Sequence, residues 1–163
     1  MVVALRGYTA LATHVTSSYP LSIPAAAQAG DLALIWAADA DQPYYMGPLG
    51  GGWSYLAGSI WTRTLTAADV ATGYVYVEGR ISTMVVYSGA AGTAYSARSR
   101  TLTCPAGSAL FWAADLTPFV SGDPAGATYR LGSVVSGLDM RKRSAHSRTV
   151  ATAGSYTLDS VNV

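Results

Sequence analysis

Apolar positions along this chain fall into short runs and alternations, not at the spacing of an amphipathic helix. The most marked run is Leu32-Ala33-Leu34-Ile35-Trp36-Ala37-Ala38. It follows Pro24 and a small-residue turn ending in Gly30-Asp31, and Asp39 closes it. A short apolar run bounded by turn residues predicts a fully buried strand or a short buried helix. The pattern recurs between Pro105 and Asp115, with a proline, a small-residue turn, an apolar run over 109–114 and the ending Trp-Ala-Ala-Asp. Trp36 and Trp112 are equivalent in this echo, as are Asp39 and Asp115, which makes the two tryptophans the packing centres of two matched core strands.

Elsewhere the period is two. Tyr74-Val75-Tyr76-Val77 sets tyrosine on one face and valine on the other, Glu78-Gly79 reads as a turn, and residues 81–87 return as a second strand. The stretch therefore predicts a hairpin. Short opening strands are predicted over 2–8 and 11–15, then a break over 17–20 and a brief extended piece over 21–23. Residues 53–64 read as a hairpin or bulged strand around Gly58. Thr66-Ala67-Ala68-Asp69 has the form of one helical turn, with Thr66 as N-cap and Asp69 three positions on. Further strands are predicted over 95–103, 129–135, 138–143, 146–151 and 156–161, with Pro/Gly loops over 39–52 and 117–127. About a dozen short strands with frequent turns predict an all-β chain: an antiparallel two-sheet β-sandwich, jelly-roll-like. A single domain over 1–163 is expected, with echoing halves at about 20–92 and 93–163 joined by the small residues 88–92.

Composition supports the β reading. Lys142 is the only lysine and Glu78 the only glutamate, and these straight-chain residues are what surface helices are usually built from. No apolar stretch reaches the roughly 18 residues of a spanning helix, and Arg6 interrupts the apolar N-terminus in a way that does not fit a secretory signal. Residues 1–80 hold three arginines against five acids, a net −2. Residues 81–163 hold seven bases against four acids, a net +3. Neither half is basic enough to predict a nucleic-acid partner. Mean hydropathy is +0.26 and only 12% of residues are charged, a weak pointer to surface hidden in an assembly.

Chemistry finds little purchase. A serine nucleophile needs a base in reach, yet His14 and His146 are the only histidines and no Gly-x-Ser-x-Gly elbow occurs. Asp39, Asp41 and Asp115 are the only grouped acids, each at the end of an apolar run, where aspartate usually caps a turn. Asp39 and Asp41 offer hard oxygen ligands two residues apart, with Asp31 or Asp115 as possible neighbours, but without the glycine and distal glutamate of a calcium loop. Cys104 stands alone, so an intrachain disulfide is excluded and a small buried thiol is expected. No enzyme, no metal and no cofactor is predicted. Arg141-Lys142-Arg143 is the basic cluster. On a strand Arg141 and Arg143 share a face, which makes them a candidate basic contact with an acidic neighbour. Tyr44, Tyr45 and Met46 lie in the Pro/Gly loop, and Tyr44, Tyr45, Trp53, Tyr74 and Tyr76 are the aromatics left for the surface. The candidate interface or ligand loop is Tyr44, Tyr45, Met46 and Trp53, an interface being preferred to a glycan.

Residues 23–89, about two-fifths of the chain, resemble a β-sandwich module of phage virion proteins and some bacterial surface proteins. The resemblance is carried by the Pro24-to-Leu34 segment, the Pro/Gly-Trp element from Pro48 to Trp53 with a diglycine insertion, Thr66 to Asp69, and Tyr87-Ser88-Gly89. It implies a sandwich fold and a virion location, and it transfers no catalytic residue. The expected role is a capsid decoration or head-fibre protein of cement type, with a tail or fibre component that binds a carbohydrate receptor as the alternative. Expected partners are further copies of the chain, with a trimer as first guess, and virion proteins such as the major capsid protein; neither nucleic acid nor membrane is expected.

Overall fold

The computed structural model describes residues 3–14, 18–38, 46–57, 59–90, 101–116, 129–135, 142–150 and 152–157. Twelve strands and one short helix are found there: β1 (Ala4–Thr13), β2 (Ser18–Ser22), β3 (Leu32–Ala38), β4 (Ser54–Ala57), β5 (Ile60–Thr64), α1 (Ala67–Thr72), β6 (Tyr74–Glu78), β7 (Ile81–Ser88), β8 (Thr101–Cys104), β9 (Ser108–Leu116), β10 (Tyr129–Val135), β11 (Lys142–Val150) and β12 (Gly154–Thr157). The chain is an all-β antiparallel sandwich. Its larger sheet has the order β1-β7-β3-β5-β4, and a smaller sheet pairs β2 with β6. Pairings are nested: β1 with β7, β2 with β6 and β3 with β5, which is the jelly-roll wrap of a folded-over hairpin.

Apolar alternation explains how the sheets meet. Inward residues of the small sheet (Tyr19, Leu21, Val75, Val77) pack on Ala33, Ile35 and Ala37 of β3 and on Met84 and Val86 of β7, forming an inner core. The opposite face of β3 and β7 is also covered. Leu34, Trp36, Ile81, Val85 and Tyr87 form a second core with Leu11, against which Ala109 and Phe111 of β9 pack. Two covered faces are why β3, and Met84 to Tyr87 of β7, read as unbroken apolar runs and not as alternations. Trp36 is buried, as expected of a core residue. The C-terminal strands form a three-stranded sheet, β10-β11-β9, and the pair β12-β8. The Val3 amide donates to the Gly107 carbonyl, and β10 runs beside β1.

Several elements stand where the sequence places them: β3, β10, the Thr66 turn and the β4–β5 hairpin. The hairpin predicted over 74–87 does not form. β6 pairs with β2, while β7 lies between β1 and β3. β7 has β1 on one side and β3 on the other, so no edge of it is left for β6. The chain crosses between sheets at Gly79, where φ is +121° and an added Cβ would lie 3.0 Å from the Ala38 carbonyl oxygen. The predicted break over 17–20 is a correction too, since Ser18–Ser22 is strand β2. Pro20 is tolerated in it for a geometric reason. The Ile23 amide donates to Gly73 O, which continues the β2–β6 register. Residues 19, 21 and 23 therefore bond to β6, and the missing Pro20 N–H faces the open edge. The two opening strands are one strand, β1, with a register shift between Thr9 and Ala12 in place of a break. Residues 142–150 likewise form one strand, not the ends of two.

Candidate functional site

The outer face of the small sheet is the surface with the most to explain. On β6 the residues Tyr74, Tyr76 and Glu78 point outward. Their partners on β2 are Ser22, Pro20 and Ser18, also exposed. On the other side of β6, Pro48 bridges to Val77 and the Leu49 amide donates to the Tyr76 carbonyl at 2.7 Å. Pro20, Tyr76 and Leu49 thus form one row across the sheet, with Tyr74 one step along. Tyr76 is 49% exposed, Leu49 45% and Tyr74 42%. The two tyrosine rings meet edge to face, with centroids 5.5 Å apart and planes at 89°, a favoured aromatic geometry.

The strand and loop that carry Leu49 are held by two anchors. Trp61 of β5 lies flat on Gly47, where an added Cβ would come within 2.1 Å of Nε1, and that indole N–H donates to the Met46 carbonyl at 2.9 Å. Tyr55 of β4 meets Trp61 edge to face at 5.2 Å. Arg63 is the second anchor. It donates to the Gly51 carbonyl at 2.6 Å and pairs with Asp69 at 3.0 Å. Asp69 closes a capping box with Thr66: its Oδ2 accepts from the Thr66 amide at 2.7 Å, and its own amide donates to Thr66 Oγ1. Partial burial pushes the Asp69 carboxyl upward, but the Thr66 hydrogen bonds and the Arg63 charge outweigh it and hold the group below its ordinary value.

The buried polar groups are held by structural partners. Asp31 accepts the Gln28 amide at 2.8 Å and pairs with Arg6 at 3.3 Å, so it ties the turn after β2 to β1. Thr83 donates to the Thr9 carbonyl, and the Tyr19 hydroxyl donates to Ser82. His14 stacks on Tyr19 with centroids 3.4 Å apart, and burial lowers its pKa. Burial also raises that of Tyr19, against the lowering effect of the Ser82 bond, and that of Cys104, a buried thiol. Among the described residues no group of three or more His, Cys, Asp or Glu side chains is arranged to hold a metal, and no helix is long and apolar enough to cross a membrane.

The sequence-predicted site residues are scattered by the fold. Tyr44, Tyr45 and Arg141 lie outside the described residues, as do Asp39 and Asp41. Met46 and Trp53 are packed partly into the inner core and so are not free loop side chains. The Met46 carbonyl is what Trp61 grips, and this draws the end of the loop inward. Arg143 sits in β11, in register with Asp115 of β9 and Val134 of β10. Trp112 is opposite His146. Of the aromatics expected at the surface, Tyr74 and Tyr76 are there, as their alternation with valine indicates. Pro20 and Leu49 are the members that sequence reasoning missed. One looks like a strand breaker and the other like loop, and only the cross-strand register puts them beside Tyr76.

No family model, no curated protein and no solved structure matches the chain.

Proposed function

We propose that the chain is a non-enzymatic structural component of a phage particle, a capsid decoration or head-fibre protein of cement type that works by burying surface between subunits. One observation carries the mode of action: large apolar side chains are exposed on three separate sides. Tyr8 (43%) lies on β1 and Tyr55 (48%) on β4, the two opposite edge strands of the large sheet. The third side is the Pro20–Tyr76–Leu49 row. A pairwise receptor contact uses one patch, whereas a component wedged among several neighbours uses several, and tyrosine is an enriched interface anchor.

The edges favour contact through side chains over strand addition. Pro20 removes the central donor from the open edge of β2, and the Ser22 carbonyl is taken by the Thr9 hydroxyl at 2.6 Å. β4 is only four residues long and carries a register shift. These are common ways of blunting sheet edges. The phage setting rests on the sequence resemblance over residues 23–89.

Sedimentation velocity on the purified chain tests the reading. A concentration-independent homo-oligomer, a trimer first, is expected, and Tyr8→Ala with Tyr55→Ala should loosen it. A monomer at every concentration, with the same coefficient in both variants, would sink the proposal.

A further inference from the structure

We infer that the outer face of the small sheet is a saccharide-binding ledge, with the Tyr76 ring as the stacking platform. This refines the particle reading: it gives the third of the exposed sides to a glycan and leaves Tyr8 and Tyr55 for subunit contact.

Size is the first argument. Tyr74 and Tyr76 are a little under half exposed, and Leu49 is similar. With about 200 Å² per aromatic side chain, the apolar surface on offer is roughly 300 Å². A stable protein partner needs about 800 Å² on each side, of which roughly 450 Å² is apolar, so a second copy seated on this face alone would fall short of a standard interface. The row Pro20–Tyr76–Leu49 crosses two strand spacings, about 10 Å, which is roughly the length of two pyranose rings.

The second argument is the mixture of chemistry. A pyranose has an apolar C–H face and a rim of hydroxyls. Tyr76 offers a flat ring of the right kind, and Tyr74 meets it edge to face with the planes at 89°. Outward on the same face lie the Ser22 hydroxyl, opposite Tyr74, and the Glu78 carboxylate at the end of the same strand. Donors and acceptors therefore flank the apolar row along the strand direction. A lipid or apolar peptide would leave those groups uncompensated, whereas sugar hydroxyls satisfy them.

The third argument is rigidity. Leu49 is fixed by its bond to Tyr76, and the adjoining glycine loop is fastened through Arg63 and Trp61. Tyr76 is carried on β6, whose reverse face is locked into the inner core by Val75 and Val77. The ledge is thus preorganised, and binding orders little beyond the ligand.

The test is saturation-transfer-difference NMR on the full chain with maltotetraose, cellotetraose and chitotetraose, preceded by a glycan array. At least one glycan should receive transfer, strongest at its ring C–H protons. Tyr76→Ala should weaken binding at least tenfold, Tyr76→Phe should keep most of it, and Tyr8→Ala should leave it unchanged. Tyr76 is exposed enough for these variants to fold, and sedimentation on the same samples separates the two proposals. Glycan binding lost in Tyr76→Ala with the oligomer intact supports the ledge. No glycan bound on the array, or binding that survives Tyr76→Ala, overturns it. If Tyr76→Ala dissociates the oligomer and no glycan binds, the face is a subunit interface; the saccharide inference then falls while the particle reading stands.

Discussion

Val85 and Val86 are neighbours on β7, both fully buried, and they point to opposite faces of the large sheet. Val86 enters the core shared with the small sheet, and Val85 the core covered by β9. Val→Ala at either site removes two methyl-sized groups, about 1.6 kcal/mol of transfer free energy. A cavity of about 40 Å³ adds roughly 1 kcal/mol where the walls do not collapse. Each variant should therefore lose about 2.5 kcal/mol. With a urea m-value of about 2 kcal/mol/M for a chain of this size, the midpoint should fall by about 1.2 M in both. The assay is equilibrium urea unfolding followed by tryptophan fluorescence and by far-UV circular dichroism. Near-equal shifts are expected because both faces are core. If Val86→Ala moves the midpoint by about 1 M and Val85→Ala leaves it unmoved, the outer face of the large sheet is solvent, and the covering role of the C-terminal strands is wrong.

Two further predictions bear on the loop and on α1. Gly47→Ala places a methyl group 2.1 Å from Trp61 Nε1, so the indole must leave its bond to Met46; a loss of about 2 kcal/mol and an altered near-UV tryptophan band are expected, and an unchanged melting temperature would refute the packing. The Asp69 carboxyl is held below its ordinary value of 3.8, so its contribution to stability is present above that value and is lost as pH falls through the lower, folded pKa. Asp69→Asn should accordingly lower the urea midpoint at neutral pH and flatten its decline in acid; an acid limb as steep as that of the unsubstituted chain would show that the Thr66 and Arg63 contacts do not act on it.

What the sequence disclosed follows the range of the forces involved. β3 is legible as a buried element because seven consecutive apolar residues lie between Asp31 and Asp39, and its pairing with β5 and β7 makes it a strand and not a short helix. α1 is legible because a capping box is local, with donor and acceptor three residues apart. The fate of 74–87 is not local. The same Tyr/Val alternation serves a hairpin or a sheet-to-sheet crossing, and the choice is made by β1 and β3 competing for both edges of β7. The break read at Ser17–Pro20 fails for a similar reason. A proline excludes a central strand but suits an edge, and edge position is a property of the whole sheet. The site divides in the same way. Tyr74 and Tyr76 are visible from their period, whereas Leu49 joins them only through a bridge between Pro48 and Val77. Glycine and proline around Met46 and Trp53 mark a loop in the sequence, whereas the grip of Trp61 that draws this loop onto the core is a tertiary fact.

The two apolar runs that echo each other in the sequence, β3 and β9, come together at the second core. Trp36 and Trp112 stand at the fifth position of β3 and β9, counted from Leu32 and Ser108. β9 is also the strand whose Ala109 and Phe111 lie on the core that contains Trp36. The two runs meet out of phase, for positions three and five of β3 (Leu34, Trp36) share this core with positions two and four of β9 (Ala109, Phe111). Had the large sheet kept its outer face exposed, that face, with Leu34, Trp36, Val85 and Tyr87, would be the obvious place for a partner. Because the C-terminal strands pack on it, the large apolar side chains that stay exposed among the described residues stand on the first and last strands of that sheet, β1 with β10 alongside, and on the outward face of β2 and β6 with the adjoining loop. Tyr8, Tyr55 and the Tyr74–Tyr76 pair stand on those surfaces. The N-terminal sandwich is thus one whose large-sheet outer face is packed from within its own chain, and the exposed tyrosines lie away from the centre of that face.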